Sequence, residues 1–83
     1  MLRKLLETGQ VDVDGRVYLV HYFESKTARG LRRYSGEVVL QADDRIILDD
    51  DSLSGLEAKV ARLAPATIYS RALASRSAAI AAA

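Results

Sequence analysis

Gln10-Val11-Asp12-Val13-Asp14-Gly15-Arg16-Val17-Tyr18-Leu19-Val20-His21-Tyr22-Phe23 is the stretch that decides the fold. Two runs rich in β-branched and aromatic residues flank an Asp-Gly pair, a strong short-range signal for a hairpin. Glycine adopts positive φ at little cost, so the chain can reverse at Gly15. The pair suits either a two-residue type I′ turn or a longer loop with a glycine bulge, and that choice sets the register. In the second run Val17, Leu19, His21 and Phe23 share one face, and Tyr18, Val20 and Tyr22 the other. Both sets are apolar, which predicts a central strand or one covered on both sides.

Downstream, Ser25 to Arg33 has no regular period and reads as a loop around Gly30. Tyr34 to Leu40 reads as a third strand, Gln41-Ala42-Asp43-Asp44 as a turn, and Arg45 to Leu48 as a short fourth strand. Hairpins at this spacing predict an antiparallel meander. From Asp51 the period changes: Leu53, Leu56, Val60 and Leu63 recur at three and four residues, as on one face of a helix. Asp51 or Ser52 can cap it, with Ser54 and Glu57 as a capping box one turn later. Pro65 is predicted to stop or kink this helix. Beyond it Ile68, Tyr69, Ala72 and Leu73 line a short second helix capped by Thr67. Upstream, Leu2, Leu5 and Leu6 fit either a helical turn or a lead into the first strand.

The predicted fold is α+β: a small antiparallel meander of three to four strands, an amphipathic helix and a short C-terminal helix. Residues 1–74 form one domain, and 75–83 form an Ala- and Ser-rich tail expected to be disordered. The predicted core is Val17, Leu19, Phe23, Val38, Leu40, Ile46, Leu48, Leu53, Leu56, Val60 and Leu63. With 83 residues, such a domain buries only roughly 60–65% of its unfolded surface and is marginal in stability.

The absence of cysteine excludes disulfides, thiolate metal sites and a cysteine nucleophile, and fits a reducing cytoplasm. Met1-Leu2-Arg3-Lys4-Leu5-Leu6-Glu7 begins like a signal peptide, but charge returns at Glu7 before an apolar segment develops. No run approaches the roughly 18 apolar residues of a membrane span. The expected setting is therefore cytoplasmic, with no membrane. Alanine- and arginine-rich usage resembles that of a high-GC bacterial genome.

A net charge of +1 hides a sharp local split. Lys26, Arg29, Arg32 and Arg33 fall in a stretch without acids, whereas Asp43, Asp44, Asp49, Asp50 and Asp51 crowd the fourth strand and its exit. Fields of that kind steer partners. The acids do not make a calcium loop: one starting at Asp49 would place Leu53, Ser54 and Val60 where a ligand, a turn glycine and a bidentate acid belong. The single histidine, His21, excludes a His-pair zinc site within one chain and reads as a strand residue. No nucleophile elbow or glycine-rich phosphate loop is present. No catalytic residue, metal or cofactor is expected.

Two binding surfaces are expected instead. The first is an apolar patch of Tyr18, Val20, Tyr22 and Leu73, which would make the protein a non-enzymatic interaction module, with a second copy or another protein as partner. The alternative is a nucleic-acid-binding accessory protein. In that reading Lys26, Arg29, Arg32 and Arg33 in the loop 26–33 contact phosphates, while Tyr34 or Tyr22 stacks on a base.

Overall fold

The computed structural model describes residues 3–82, with side chains from 3 to 74. It contains strands β1 (Arg3–Val13), β2 (Arg16–Lys26), β3 (Arg32–Gln41) and β4 (Asp44–Asp50), then one helix, α1 (Leu53–Ala82). The strands form a single antiparallel meander in the order β1-β2-β3-β4, so the α+β architecture is as predicted.

The first hairpin is the tight form. Val13 pairs with Arg16, and Asp14 and Gly15 both take positive φ, 54° and 82°, as a type I′ turn requires. Asp12 Oδ1 accepts the Gly15 N–H at 3.0 Å. Leu5 and Leu6 belong to β1, which runs eleven residues with an irregularity between Leu5 and Glu7, and Leu2 lies outside the described residues.

The expected loop is trimmed at both ends, with Ser25 and Lys26 in β2, Arg32 and Arg33 in β3, and 27–31 left as the connection. Lys26 pairs with Arg32, leaving a short turn at the hairpin end. There the Thr27 N–H donates to the Leu31 carbonyl at 2.8 Å, and the Gly30 N–H to the Thr27 carbonyl at 2.9 Å. Gly30 sits at φ 79°, which explains the glycine. Lys26, Arg32 and Arg33 therefore sit on strand ends and Arg29 in the connection between them.

The largest correction concerns which face of the sheet is inside. Val20, Tyr22, Val38 and Ile46 are buried with Leu56, Val60 and Ala64 of the helix. Tyr18, Tyr34, Leu40, Leu48 and Leu53 pack around them. Val17 and Leu19, predicted in the core, lie on the opposite face and are about half exposed. Register explains the choice. Val20 pairs with Val38 and Val38 with Ile46, so a core containing Val38 and Ile46 must contain Val20. Tyr22 also needs that face, because its ring fills the space above Gly9 and Gly36.

Ser52 caps α1: its Oγ accepts the Gly55 N–H at 3.1 Å, and its carbonyl accepts the Leu56 N–H at 3.0 Å. The helix then runs unbroken through Pro65 to Ala82, so a separate short C-terminal helix is absent. Proline removes one N–H, but Ala64 and Ile68 dock against the sheet on either side of it and hold the helical path. Thr67 lies inside this helix, where its hydroxyl donates to the Leu63 carbonyl at 2.9 Å and does not cap a new one. The stripe that meets the sheet is Leu56-Val60-Ala64, and Leu63 turns toward solvent. The backbone of the expected tail continues the helix as far as Ala82, and Ala83 lies outside the described residues.

Candidate interaction surface

One helix covers one side of the sheet, and no described element covers the other. Cross-strand pairing places the side chains of that open face in rows. Gln10, Leu19, Val39 and Arg45 form one row; Thr8, His21, Glu37 and Ile47 the next; Leu5, Phe23, Ser35 and Asp49 the third. Arg3, Ser25 and Arg33 close one end, and Asp12 and Val17 the other. Leu5, Val17, Leu19 and Ile47 are 52, 54, 47 and 65% exposed on this face. Scattered exposed aliphatics are ordinary, but four on one sheet face form a patch of the kind partners cover.

At its centre lies a desolvated charge. Glu37 is only 5% exposed. Arg3 Nη1 donates to its Oε1 at 2.8 Å, and Arg45 Nη1 to its Oε2 at 3.0 Å. Arg3 reaches it from two strands away by crossing Phe23, with its guanidinium carbon 3.9 Å from the ring centroid. The hydrogen bond from Arg3 above all, and then that from Arg45, hold the Glu37 carboxyl below its ordinary value against the opposing effect of burial. The carboxylate is therefore ionised at neutral pH and bonded through both oxygens. His21 lies beside this cluster, its Nδ1 3.3 Å from Thr8 Oγ1.

The residues first expected to form a free apolar patch lie on the helix side. Val20 and Tyr22 are core, and Tyr18 is half-buried below α1. Leu73 alone of that set is exposed, on the second half of the helix beside Tyr69. Under that half a shallow groove runs between the helix and the two hairpin ends, lined by Arg16, Tyr18, Ile68 and Ala72. An ion pair between Arg71 and Asp44 crosses one end of it.

The basic cluster is divided between the two faces. Arg33 points to the open side and pairs with Asp49 at 3.1 Å, while Arg32 lies on the helix side, 3.9 Å from Glu24. Arg29 sits in the turn, and Tyr34 packs against the core. Tyr22 is 7% exposed, so its ring is not presented for stacking.

Among the described residues no group of three His, Cys, Asp or Glu side chains is placed to hold a metal ion. No helix among them is long and apolar enough to cross a membrane. No family model matches the chain, and no curated protein or solved structure matches it.

The sequence does not reveal the open face because Val17, Leu19 and Phe23 read equally well as core. One signal existed. Gly9 and Gly36 are two small strand residues, and a large aromatic on the strand between them would fill the space they leave.

Proposed function

We propose that the chain is a small cytoplasmic, non-enzymatic interaction module that docks a protein partner on the open face of its sheet. The observation carrying this reading is the exposure of Leu5, Val17, Leu19 and Ile47 around a buried, doubly bonded Glu37. The exposed aliphatic side chains suit another protein's apolar surface, and the arginines among them suit its polar groups. Nucleic acid is the second reading, supported by Lys26 and Arg29, which have no carboxylate within 4.0 Å among the described residues. It is weaker because the other two cations of that cluster are paired and point to opposite faces. Of the two rings on the open face, His21 and Phe23, the second is covered by Arg3, which leaves little for the base stacking a single-strand binder uses.

A photocrosslinking residue placed singly at Leu19, Ile47 or Arg62 in expressing cells tests the docking reading. Adducts of defined mass from Leu19 and Ile47, with none from the helix position Arg62, are expected. Equal yields at all three positions, or none from the sheet, would overturn it.

A further inference from the structure

Resting on that reading of the open face, we propose that its occupant is a second copy of this chain, packed sheet on sheet about a two-fold axis that runs across the strands. The register supplies the reason. Arg45 and Asp49 lie on the same side of β4, two residues before and two after Ile47. A two-fold through the row Thr8-His21-Glu37-Ile47 exchanges the rows on either side of it. Each Arg45 then faces the partner copy's Asp49, each Leu19 faces the position where Arg3 stacks on Phe23, and Ile47 meets its own counterpart. At the ends of the face, the row of Asp12 comes opposite the row of Arg3.

A two-fold running along the strands is the other way to pack such faces, and it fits poorly. It lays β1 on β4, setting Leu5 against Asp49 and Gln10 against Arg45. The along-strand axis does set Leu19 against Val39 and His21 against Glu37, and the cross-strand axis sets Glu37 against its counterpart. But each Glu37 is already held by Arg3 and Arg45 of its own copy, and only the cross-strand axis brings the exposed Asp49 opposite Arg45 and the row of Asp12 opposite that of Arg3.

The hydrogen-bonding capacity matches. Arg45 gives Glu37 a bond from Nη1, and a guanidinium has further N–H groups to offer. Asp49 bonds Arg33 through Oδ2 and is 70% exposed, leaving Oδ1 for the partner. Five rows and four strands span about 27 Å by about 15 Å, so covering both copies buries on the order of 800 Å², the size of a weak, concentration-dependent dimer. Sheets stacked in this way lie about 10 Å apart with strands within about 30° of alignment.

The absence of cysteine makes the test clean. Ile47→Cys, Thr8→Cys, Leu73→Cys and the double variant Thr8→Cys/Ile47→Cys are purified, mildly oxidised and run without reductant, with sedimentation equilibrium on the unmodified chain. The unmodified chain is expected to sediment as a dimer, with Ile47→Cys and Thr8→Cys each linking to their own kind and Leu73→Cys not. Leu19→Asp should weaken the dimer at least about tenfold. Asp49→Arg should also weaken it, with circular dichroism confirming the fold of each variant.

A chain that stays monomeric at millimolar concentration overturns the second-copy proposal. Should photocrosslinks from Leu19 then join a different protein, the docking reading stands without it. A dimer linked only through Leu73, and indifferent to Leu19→Asp, overturns both. Linkage that needs Thr8→Cys and Ile47→Cys together, with neither working alone, overturns the cross-strand axis.

Discussion

The ring of Tyr22 stands over Gly9 so closely that a Cβ on Gly9 would lie 3.2 Å from Tyr22 Cε2. On the ring's other side, a Cβ on Gly36 would meet Val60 at 3.4 Å and Tyr22 at 3.6 Å, which is ordinary contact. Two glycines flanking one tyrosine therefore have different tolerances. Gly36→Ala is expected to be neutral or to stabilise by up to about 1 kcal/mol, since glycine in a strand interior costs about that much. Gly9→Ala must move a buried ring and is expected to forfeit that gain and lose about 1 kcal/mol more. Urea unfolding of both variants decides it, and equal midpoints would contradict the packing described.

Glu37 makes the fold sensitive to acid. Its carboxyl titrates below the ordinary value of 4.5 in the folded chain, so its contribution is present above that value. As pH falls through the lower, folded-state value, protonation removes that contribution. Glu37→Gln should therefore reduce stability by about 1–3 kcal/mol at neutral pH, the range for losing charge-assisted hydrogen bonds at a desolvated group. It should also flatten the acid side of the stability profile. Thermal melts from pH 7 to 3 check both, and an unchanged acid slope would count against the assignment.

The helix start depends on a compact cluster. Asp50 accepts the N–H of Asp51 at 2.7 Å and of Ser52 at 3.2 Å, and pairs with Lys59 at 3.2 Å. Hydrogen bonding with the Asp51 side chain first, and then with Lys59 and the neighbouring amides, lowers its pKa to about 2. Ser52→Ala should cost about 1 kcal/mol, as is typical of a lost N-cap. Gly55→Ala should be as damaging, although alanine favours helix. Its Cβ would fall 2.7 Å from Ser52 Oγ and 3.0 Å from Asp50 Oδ1, breaking the cap from the other side. Chemical denaturation of the two single variants and the double tests this. Additive losses would mean the residues do not share one cap.

Pro65 interrupts the hydrogen-bond ladder without ending the helix. Pro65→Ala restores an N–H to the Ala61 carbonyl and is expected to raise stability by about 1–3 kcal/mol. A melting temperature that does not rise would show that the ring's own packing compensates for the missing bond.

The element types were legible in the sequence, and the side of burial was not. Asp14-Gly15 announced the first hairpin, and the three-and-four spacing from Leu53 announced the helix. Tyr18-Val20-Tyr22 and Val17-Leu19-Phe23 are equally apolar, so β2 by itself could not say which set faces inward. That decision lies in partners distant in sequence: Val38 and Ile46 in register with Val20, and Ala64 closing over them from the helix. The helix was cut short at Pro65 because proline's local penalty is visible in sequence, and the docking of Ala64 and Ile68 is not. Glu37 gave no sign as a site residue, since its value arises from Arg3 thirty-four positions away. The loop at 27–31 is legible from Gly30, but its two ends are not, because charge is common to loops and to exposed hairpin ends.

The strict succession of neighbours in the sheet bears on how the chain comes to be folded. Every strand pairs only with the strands next to it in sequence. Chain closure is therefore cheap at each hairpin, and a nearest-neighbour topology of this kind folds faster than sheets with crossing connections. On a ribosome the whole meander leaves the exit tunnel before Leu56, Val60 and Ala64 do. For that interval both faces of the sheet are bare, and the inner face differs from the outer one only in that a helix is on its way.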